Sequence, residues 1–507
     1  MKRQVYNPFL PLYEYIPDGE PHVFGDRIYL FGSHDREGGE RYCEMGNYVG
    51  WSAPVNDLTD WKCEGVIYEA ESDPTSYKGN DDLYAPDVVR GSDGRYYLYY
   101  GLSGPAGDGH NTPIKVAVCD EPAGRYTYLG FVKNPDGTPF LRYLPADPAV
   151  INDEGVIRLY YGWSLSLVAG AAHGATSADT DERTPVPARE QLLAAEKMLF
   201  KRTEEQLMAE EHDVMGANTI VLEDDMMTVK GEPERIVPGQ FASEGTGFEG
   251  HAFYEASSIR KINGTYYFIY SSENSHELCY ATSEYPNKGF VYRGIIHSNG
   301  DVGYQGRKPK DRVNMTANNH GSLECILGQW YIFYHRQTHN TTFSRQACAE
   351  PVEIQPDGSI AQVECTSCGL NNGPLLADRE YPAAIACNIT NGHMPHATNR
   401  AVNADIPFVT HLGGERFITN IKAGTRIGFK YFIMEGSCRL VLKTRGTGNG
   451  IFRILMDGEM TGSAKIRPSE SWMESDVVVV AEGRKALYLY YEGNGSADLL
   501  SVRFEKA

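Results

Sequence analysis

Positive charge is scarce in this chain. Its 507 residues carry 47 Lys and Arg against 67 Asp and Glu, a formal net charge of −20. A phosphate backbone or an anionic membrane surface needs a basic face, so neither nucleic acid nor membrane is expected as a partner. No run of about 18 apolar residues occurs, so no membrane-spanning helix is expected. The N-terminus, MKRQVYNPFL, starts basic but meets Asn7 and Pro8 before an apolar core builds up, and Glu14, Asp18 and Glu20 follow. The pattern of a secretory signal is missing. Cysteine pairs at metal spacing are missing too: of ten cysteines only Cys365 and Cys368 form a CxxC, with no second pair to complete a zinc site. Scattered cysteines lead to the expectation of reduced thiols in a cytoplasmic protein. What these absences leave is a soluble chain suited to neutral substrates.

Tyrosine and glycine are plentiful, 33 and 53 residues, which favours a turn-rich β protein with aromatic-lined clefts. One strand pattern recurs. It reads GDRIYLFGS at 25–33, DGRYYLYYG at 93–101, EGVIRLYYG at 154–162, NGTYYFIYSS at 263–272 and LGQWYIFYHR at 327–336. A polar turn followed by period-2 alternation marks a hairpin entering a half-buried strand. Five such units with little helical signal between them predict radial repetition, a five-bladed β-propeller. Aligned on Tyr29, Tyr97, Arg158, Tyr267 and Tyr331, the copies are separated by 68, 61, 109 and 64 residues. The long gap holds an excess at about 165–212, where PAREQLLAAEKMLFKRTEEQLMAEE reads as an amphipathic helical insert. A solvated charged face is its plain reading, and a lid over a site the sharper one.

Eleven residues before each aligned position stand Asp18, Pro86, Asp147, Ala256 (with Glu255 beside it) and His320. In a propeller that offset reaches the innermost strand, near the central axis. Two Asp, one Glu and one His therefore converge at one channel mouth. Clustered carboxylates repel one another, which separates their pKa values and permits one acid and one base. The same set suits a divalent cation, and Asp or Glu at tight turns also caps backbone amides. Spacing alone leaves all three readings open.

The motifs at these positions resemble those of family 43 glycoside hydrolases, five-bladed propellers acting on arabinose- and xylose-containing glycans. The first is Asp18-Gly-Glu-Pro-His-Val-Phe with Gly-Ser-His34-Asp35; then come Leu-Tyr84-Ala-Pro-Asp87-Val, Asp147-Pro-Ala-Val and Phe-Tyr-Glu255-Ala-Ser-Ser-Ile. Asn-His320-Gly-Ser and Ser-Arg345-Gln complete the set. The likeness covers about residues 5–375. It implies an inverting hydrolase with Asp18 as general base, Glu255 as general acid and Asp147 as modulator of the acid's pKa. It further implies substrate contacts at His34, Asp35, Tyr84, Asp87 and Arg345, and a calcium or water cluster at His320. No cofactor is required for the chemistry; any calcium would be structural. Departures are Asp18-Gly19 where Asp-Pro is common, Glu20 as an extra carboxylate, and Tyr84 where Trp is usual. Glu249, in Gly-Phe-Glu-Gly-His, is the rival for the acid.

Beyond about 375 the pattern changes to short alternating strands with turn signals every 8–12 residues, which predicts a β-sandwich of jelly-roll type over 376–507. The segment 366–410 reads as a linker. The closing strands resemble family 6 carbohydrate-binding modules, with Trp472 either buried in the sandwich or a sugar platform. The expected function is exo-acting release of terminal α-L-arabinofuranose or β-D-xylose from oligosaccharides such as those of arabinoxylan. The alternatives are a galactofuranosidase, an endo-arabinanase or a propeller that binds glycan without cleaving it.

Overall fold

The repeated strand is the second strand of each of five sheets. The computed structural model describes residues 4–77, 81–103, 112–166, 189–210, 213–397, 402 and 404–506. The first sheet comprises β1 (Glu20–Phe24), β2 (Arg27–Phe31), β3 (Asn47–Pro54) and β4 (Lys62–Glu69), and the second β5 (Leu83–Arg90), β6 (Tyr96–Leu102), β7 (Lys115–Cys119) and β8 (Thr127–Phe131). The third holds β9 (Ala149–Asp153), β10 (Val156–Trp163), β11 (Gly216–Leu222) and β12 (Val229–Pro238). The fourth holds β13 (Phe253–Ile262), β14 (Thr265–Ser272), β15 (Glu277–Ser283) and β16 (Val291–Ser298), and the fifth β17 (Ser322–Ile326), β18 (Gln329–Gln337) and β19 (Arg345–Val352). Every sheet is an antiparallel meander in chain order. The first strands β1, β5, β9, β13 and β17 each contact the first strands of both neighbouring sheets, closing a ring about one axis.

Each seam between blades is filled by the alternating apolar residues of the repeat. Tyr99, Leu159 and Tyr161 pack between the second and third blades, and Tyr160, Phe253 and Phe268 between the third and fourth. The ring closes where the N-terminal segment covers the seam between the fifth and first blades. There Phe9 N donates to Ala347 O at 3.2 Å, and Phe9 packs on Trp61 and Phe333.

The helical insert forms α1 (Arg189–Phe200) and α2 (Glu204–Met208); its first part, 167–188, lies outside the described residues. Thr203 and Gln206 form a capping box at the start of α2, which fixes where that helix begins. The insert is amphipathic as expected. Its apolar side, with Leu192, Phe200 and Leu207, is buried against Leu144, Val214 and Met215, and Phe200 sets its ring edge against Trp163.

The C-terminal part is built from β23 (Phe408–Leu412), β24 (Glu415–Ile421), β25 (Arg426–Gly446), β26 (Asn449–Met456), β27 (Glu459–Ile466), β28 (Ser469–Asn494) and β29 (Ala497–Lys506). Short strands β20 (Leu375–Leu376), β21 (Glu380–Pro382) and β22 (Asn388–Thr390) add to β25 and β29, so the segment read as a linker contributes strands to this domain. The ten-stranded sheet encloses one apolar core that includes Phe429, Phe432, Ile454, Leu487 and Phe504. Trp472 is half-buried; its Nε1 donates to Glu415 Oε2 at 2.7 Å, and the Arg445 guanidinium covers its ring at 4.2 Å.

Two charge clusters join sandwich to propeller, one buried around Lys430 and one largely buried around the Arg416–Glu37 pair. Lys430 Nζ meets Asp301 at 3.0 Å and Glu364 at 2.8 Å. Arg416 Nη1 pairs with Glu37, which also meets His411 Nδ1 at 2.9 Å. Removing one partner of a buried pair leaves an uncompensated charge and costs about 3–5 kcal/mol, whereas exposed pairs contribute about 0–1 kcal/mol. Arg416→Met is therefore expected to lower the first calorimetric unfolding transition by several degrees. Arg439→Met, which breaks the half-exposed pair with Asp476, should leave it nearly unchanged.

Candidate active site

Three inner strands are preceded at the same offset by a candidate residue. Asp18, Asp147 and His320 each stand two residues before β1, β9 and β17. Asp18 and Asp147 adopt left-handed backbone, with φ of 57° and 45°, a region tolerated by Asp and enriched at functional sites. Gly321, next to His320, is required by close approach: a Cβ there would lie 1.8 Å from Phe333 O. In the fourth blade the register between β13 and β14 shifts on both sides of Glu255, and Ala256 has φ of 68°. That bulge re-aims Glu255 toward the axis.

Five residues brought together by the repeat arithmetic and the motifs share one space. Asp18, Asp147, Glu255, His320 and Arg345 line a cavity of about 240 Å³. Its remaining wall includes the aromatic rings of Tyr42, Tyr84, Trp163 and Tyr254, together with the amide of Asn318. Aromatic faces beside a few convergent polar groups are the usual lining of a small-molecule site.

Arg345 is the electrostatic hub. It is 2% exposed, with Nε and Nη2 on the Asp35 carboxylate at 2.8 and 3.0 Å and Nη1 on Asp18 Oδ1 at 2.8 Å. The Tyr42 ring lies over its guanidinium at 4.6 Å. Burial by itself would raise the pKa of Asp18, but the Arg345 charge outweighs it and holds Asp18 well below the usual carboxylate range. His335 is neutral: burial lowers its pKa to about 4. Its Nδ1 accepts the Asp18 amide at 3.3 Å, and its Nε2 donates to Asn318 O at 3.0 Å. Asp18 is thus an ionised carboxylate paired with Arg345, on a backbone amide held by His335.

Glu255 is the opposite case. Burial, reinforced by the charges of Asp147 and Asp18, pushes its pKa up to about 8. Asp147 is also raised, chiefly by burial, and His320 opposes the shift. Asp147 Oδ2 accepts the Ala256 amide at 2.9 Å, which ties it to the backbone of Glu255 itself. The Asn318 amide stands 3.5 Å from Glu255 Oε1. The rival Glu249 is exposed, holds the turn amide of Thr246 at 3.1 Å and lies outside the cavity. Amides of its own turn lower its pKa, so it is ill suited to an acid's role.

Three motif residues stand behind the wall rather than on it. Asp35 orients Arg345, so its expected substrate contact is replaced by a buried ion pair. His34 Nδ1 meets Asn47 Oδ1 at 2.6 Å. Asp87 is a clamp between blades: Oδ1 meets His22 Nε2 at 2.6 Å, and Oδ2 accepts the Val150 amide at 2.7 Å. The extra carboxylate Glu20 pairs with Arg260 at 3.1 Å. The wall residues Tyr42, Trp163, Tyr254 and Asn318 were not singled out by the motifs, nor was His335. Two of them carried a sequence signal: His335 is the penultimate residue of the fifth repeat copy, and Tyr254 lies inside the Phe-Tyr-Glu255 motif.

His320 Nδ1 lies 3.9 Å from Asp18 Oδ1, and its Nε2 is buried without a hydrogen-bond partner among the described residues. An orphaned imidazole nitrogen fits a cation or water on the axis. The donor set is thin, however: among the described residues no group of three ligand side chains gathers at His320.

The sequence profile of the glycosyl hydrolases family 43 matches residues 16–181 and 198–360. The chain belongs to that family. This family 43 glycoside hydrolase is 42% identical to a "Xylosidase/arabinosidase" of Thermoclostridium stercorarium, over 99% of both chains. It is 28% identical to a "Xylosidase/arabinosidase" of Bacteroides ovatus, over 69% of this chain and 95% of that one. Among solved structures, the GH43_1 enzyme from Xanthomonas citri aligns over 71% of this chain and 93% of that one, with 22% identity and a TM-score of 0.50, a likeness of fold.

The two raised carboxyls make a pH prediction with a definite sign. A general acid at Glu255 would act only while protonated, so activity should fall as pH rises through about 8. Asp147→Asn removes a repelling charge and should move that alkaline limb of kcat/KM down by about one pH unit. Stability gives an independent check. The folded state holds the Glu255 proton more tightly than the unfolded chain, so raising pH through the interval between the two pKa values is destabilising. Glu255→Gln should therefore raise Tm at pH 8 by more than at pH 5.

Proposed function

We propose that this glycoside hydrolase is an exo-acting, inverting enzyme that releases terminal α-L-arabinofuranose or β-D-xylose from arabinoxylan-type oligosaccharides. The observation that carries the reading is the split ionisation within one cavity: Asp18 charged, Glu255 protonated, both facing a space of about 240 Å³. That volume lies below the roughly 300–1,000 Å³ of sites for larger ligands and suits a single sugar ring. The names of the relatives support a pentose in it.

Inversion needs a base on one face of the anomeric carbon and an acid on the other. Asp18 Oδ1 is taken up by Arg345, so Oδ2 is the oxygen that receives the water proton. Its basicity is low, but an oxocarbenium-like transition state demands little proton transfer from water until late. Glu255 delivers its proton to the leaving oxygen, a role usually worth about 10²–10⁴ in rate. Asp147 acts through Glu255: its charge keeps the acid protonated, and its bond to the Ala256 amide holds that strand segment in place. Tyr84 and Trp163 offer ring faces to the apolar side of the sugar. A cation held at His320 Nε2 would supply positive charge on the axis and no nucleophile. The ten free thiols support a reducing compartment, consistent with a cytoplasmic enzyme trimming small neutral oligosaccharides.

Two measurements test the reading. Aryl α-L-arabinofuranoside and aryl β-D-xylopyranoside should both be offered to the purified protein, and turnover of at least one is expected. No turnover of either, nor of arabinoxylan oligosaccharides, overturns the assignment. Glu255→Ala should lose far less activity on an aryl glycoside with a very acidic phenol than on a natural disaccharide, because that leaving group needs little protonation. Equal losses on both would remove Glu255 from the acid's role.

A further inference from the structure

The fourth blade carries a second group of ligand-type side chains that the cavity does not use. His251 precedes β13, Glu277 opens β15, and Cys279 lies two residues on, so Glu277 and Cys279 share one face of the strand. None of the three lines the catalytic cavity. His251 Nδ1 is 2.7 Å from Glu277 Oε1, Cys279 Sγ is 3.6 Å from the same oxygen, and Sγ and Nδ1 are 3.9 Å apart. One nitrogen, one oxygen and one sulfur thus face a common point.

Their spacing matches a tetrahedral metal. Bonds of about 2.0–2.3 Å to N, O and S at tetrahedral angles place the ligand atoms about 3.3–3.6 Å apart. The His251–Glu277 contact must open by about 0.6 Å and the His251–Cys279 contact close by about 0.3 Å to meet that geometry. The supports around the group are those of an oriented site. Ser272 Oγ and Asn274 Nδ2 donate to Glu277 Oε1 at 2.5 and 2.9 Å. The imidazole stacks on Tyr292 at 4.9 Å with an interplanar angle of 8°, which fixes the ring plane. Glu277 and Cys279 are buried, while the His251 side chain is 31% exposed and offers a path from solvent.

We propose that His251, Glu277 and Cys279 bind a zinc ion, with water as the fourth ligand. The soft thiolate and the imidazole select zinc over calcium or magnesium. Glu277 is ionised and accepts the Nδ1 proton in the metal-free state. On binding, the thiol proton leaves to solvent, the Nδ1 proton is given up and Nε2 carries the ring hydrogen. The carboxylate and the thiolate then neutralise the dication, so the occupied site carries no net charge. Affinity accordingly falls as pH falls. The site lies on the outer part of the blade, and its zinc would tie the loop before β13, the segment that leads into Glu255, to β15.

The test uses the full chain stripped with a chelator, then titrated with Co²⁺ and with Zn²⁺. One equivalent of Co²⁺ should give near-ultraviolet thiolate-to-cobalt absorption and visible d–d bands, and one equivalent of Zn²⁺ should remove them and raise Tm. Cys279→Ser should abolish the thiolate band, and His251→Gln should weaken Zn²⁺ binding by more than the 10–100-fold that losing an outer partner costs. Hydrolysis of an aryl pentoside, measured without metal, should be retained in both variants and reports that they fold. Absence of the thiolate band at one equivalent in the parent, or its persistence in Cys279→Ser, overturns the site.

Discussion

One guanidinium holds the catalytic end of this propeller together. Arg345 enters the ring on β19, from the last blade, and reaches two carboxylates of the first, Asp18 and Asp35. It is among the largest fully buried side chains of the protein. A charge in that position is tolerable only because two opposite charges surround it, and the benefit is reciprocal: Asp18 stays ionised in a site that would otherwise neutralise it. The pairing also spans the closure of the ring, so the blade-to-blade fit and the ionisation state of Asp18 rest on the same contact.

Everything at the other side of the cavity follows from having no such partner. Glu255 and Asp147 are as buried as Asp18, yet of the three Arg345 bonds only Asp18, and burial together with the nearby Asp18 charge raises both. The fold thus keeps one of three similar carboxyls ionised and raises the other two by the placement of one cation. Backbone geometry is spent on the same end: left-handed residues at Asp18, Asp147 and Ala256, and a bulge at Glu255, all fall at the channel mouth.

The propeller was legible because its repeat is a packing requirement. Each second strand must bury alternate aromatic and aliphatic residues in two seams, so Tyr29, Tyr97, Tyr267 and Tyr331 recur at one register, and an eleven-residue offset reaches the axis. The carboxylates were found that way because they sit on repeating elements. Tyr42 and Asn318 were not, because they belong to connections that differ from blade to blade and obey no period, and Trp163 closes β10 one residue past the repeated pattern. The roles of Asp35 and Asp87 were misplaced for a related reason: a motif records that a charge is retained near the site but not whether it faces the cavity or the wall behind it. The helical insert showed its amphipathic pattern in sequence, but that its apolar side backs Trp163 is a tertiary fact.

The ionisation split can be observed without turnover. With glutamate side-chain carboxyls labelled with ¹³C, the resonance that disappears in Glu255→Gln can be followed by NMR across neutral pH. The account predicts that this carboxyl is protonated at pH 6 and titrates near 8. Titration of Glu255 in the ordinary glutamate range, leaving it ionised at pH 6, would contradict it.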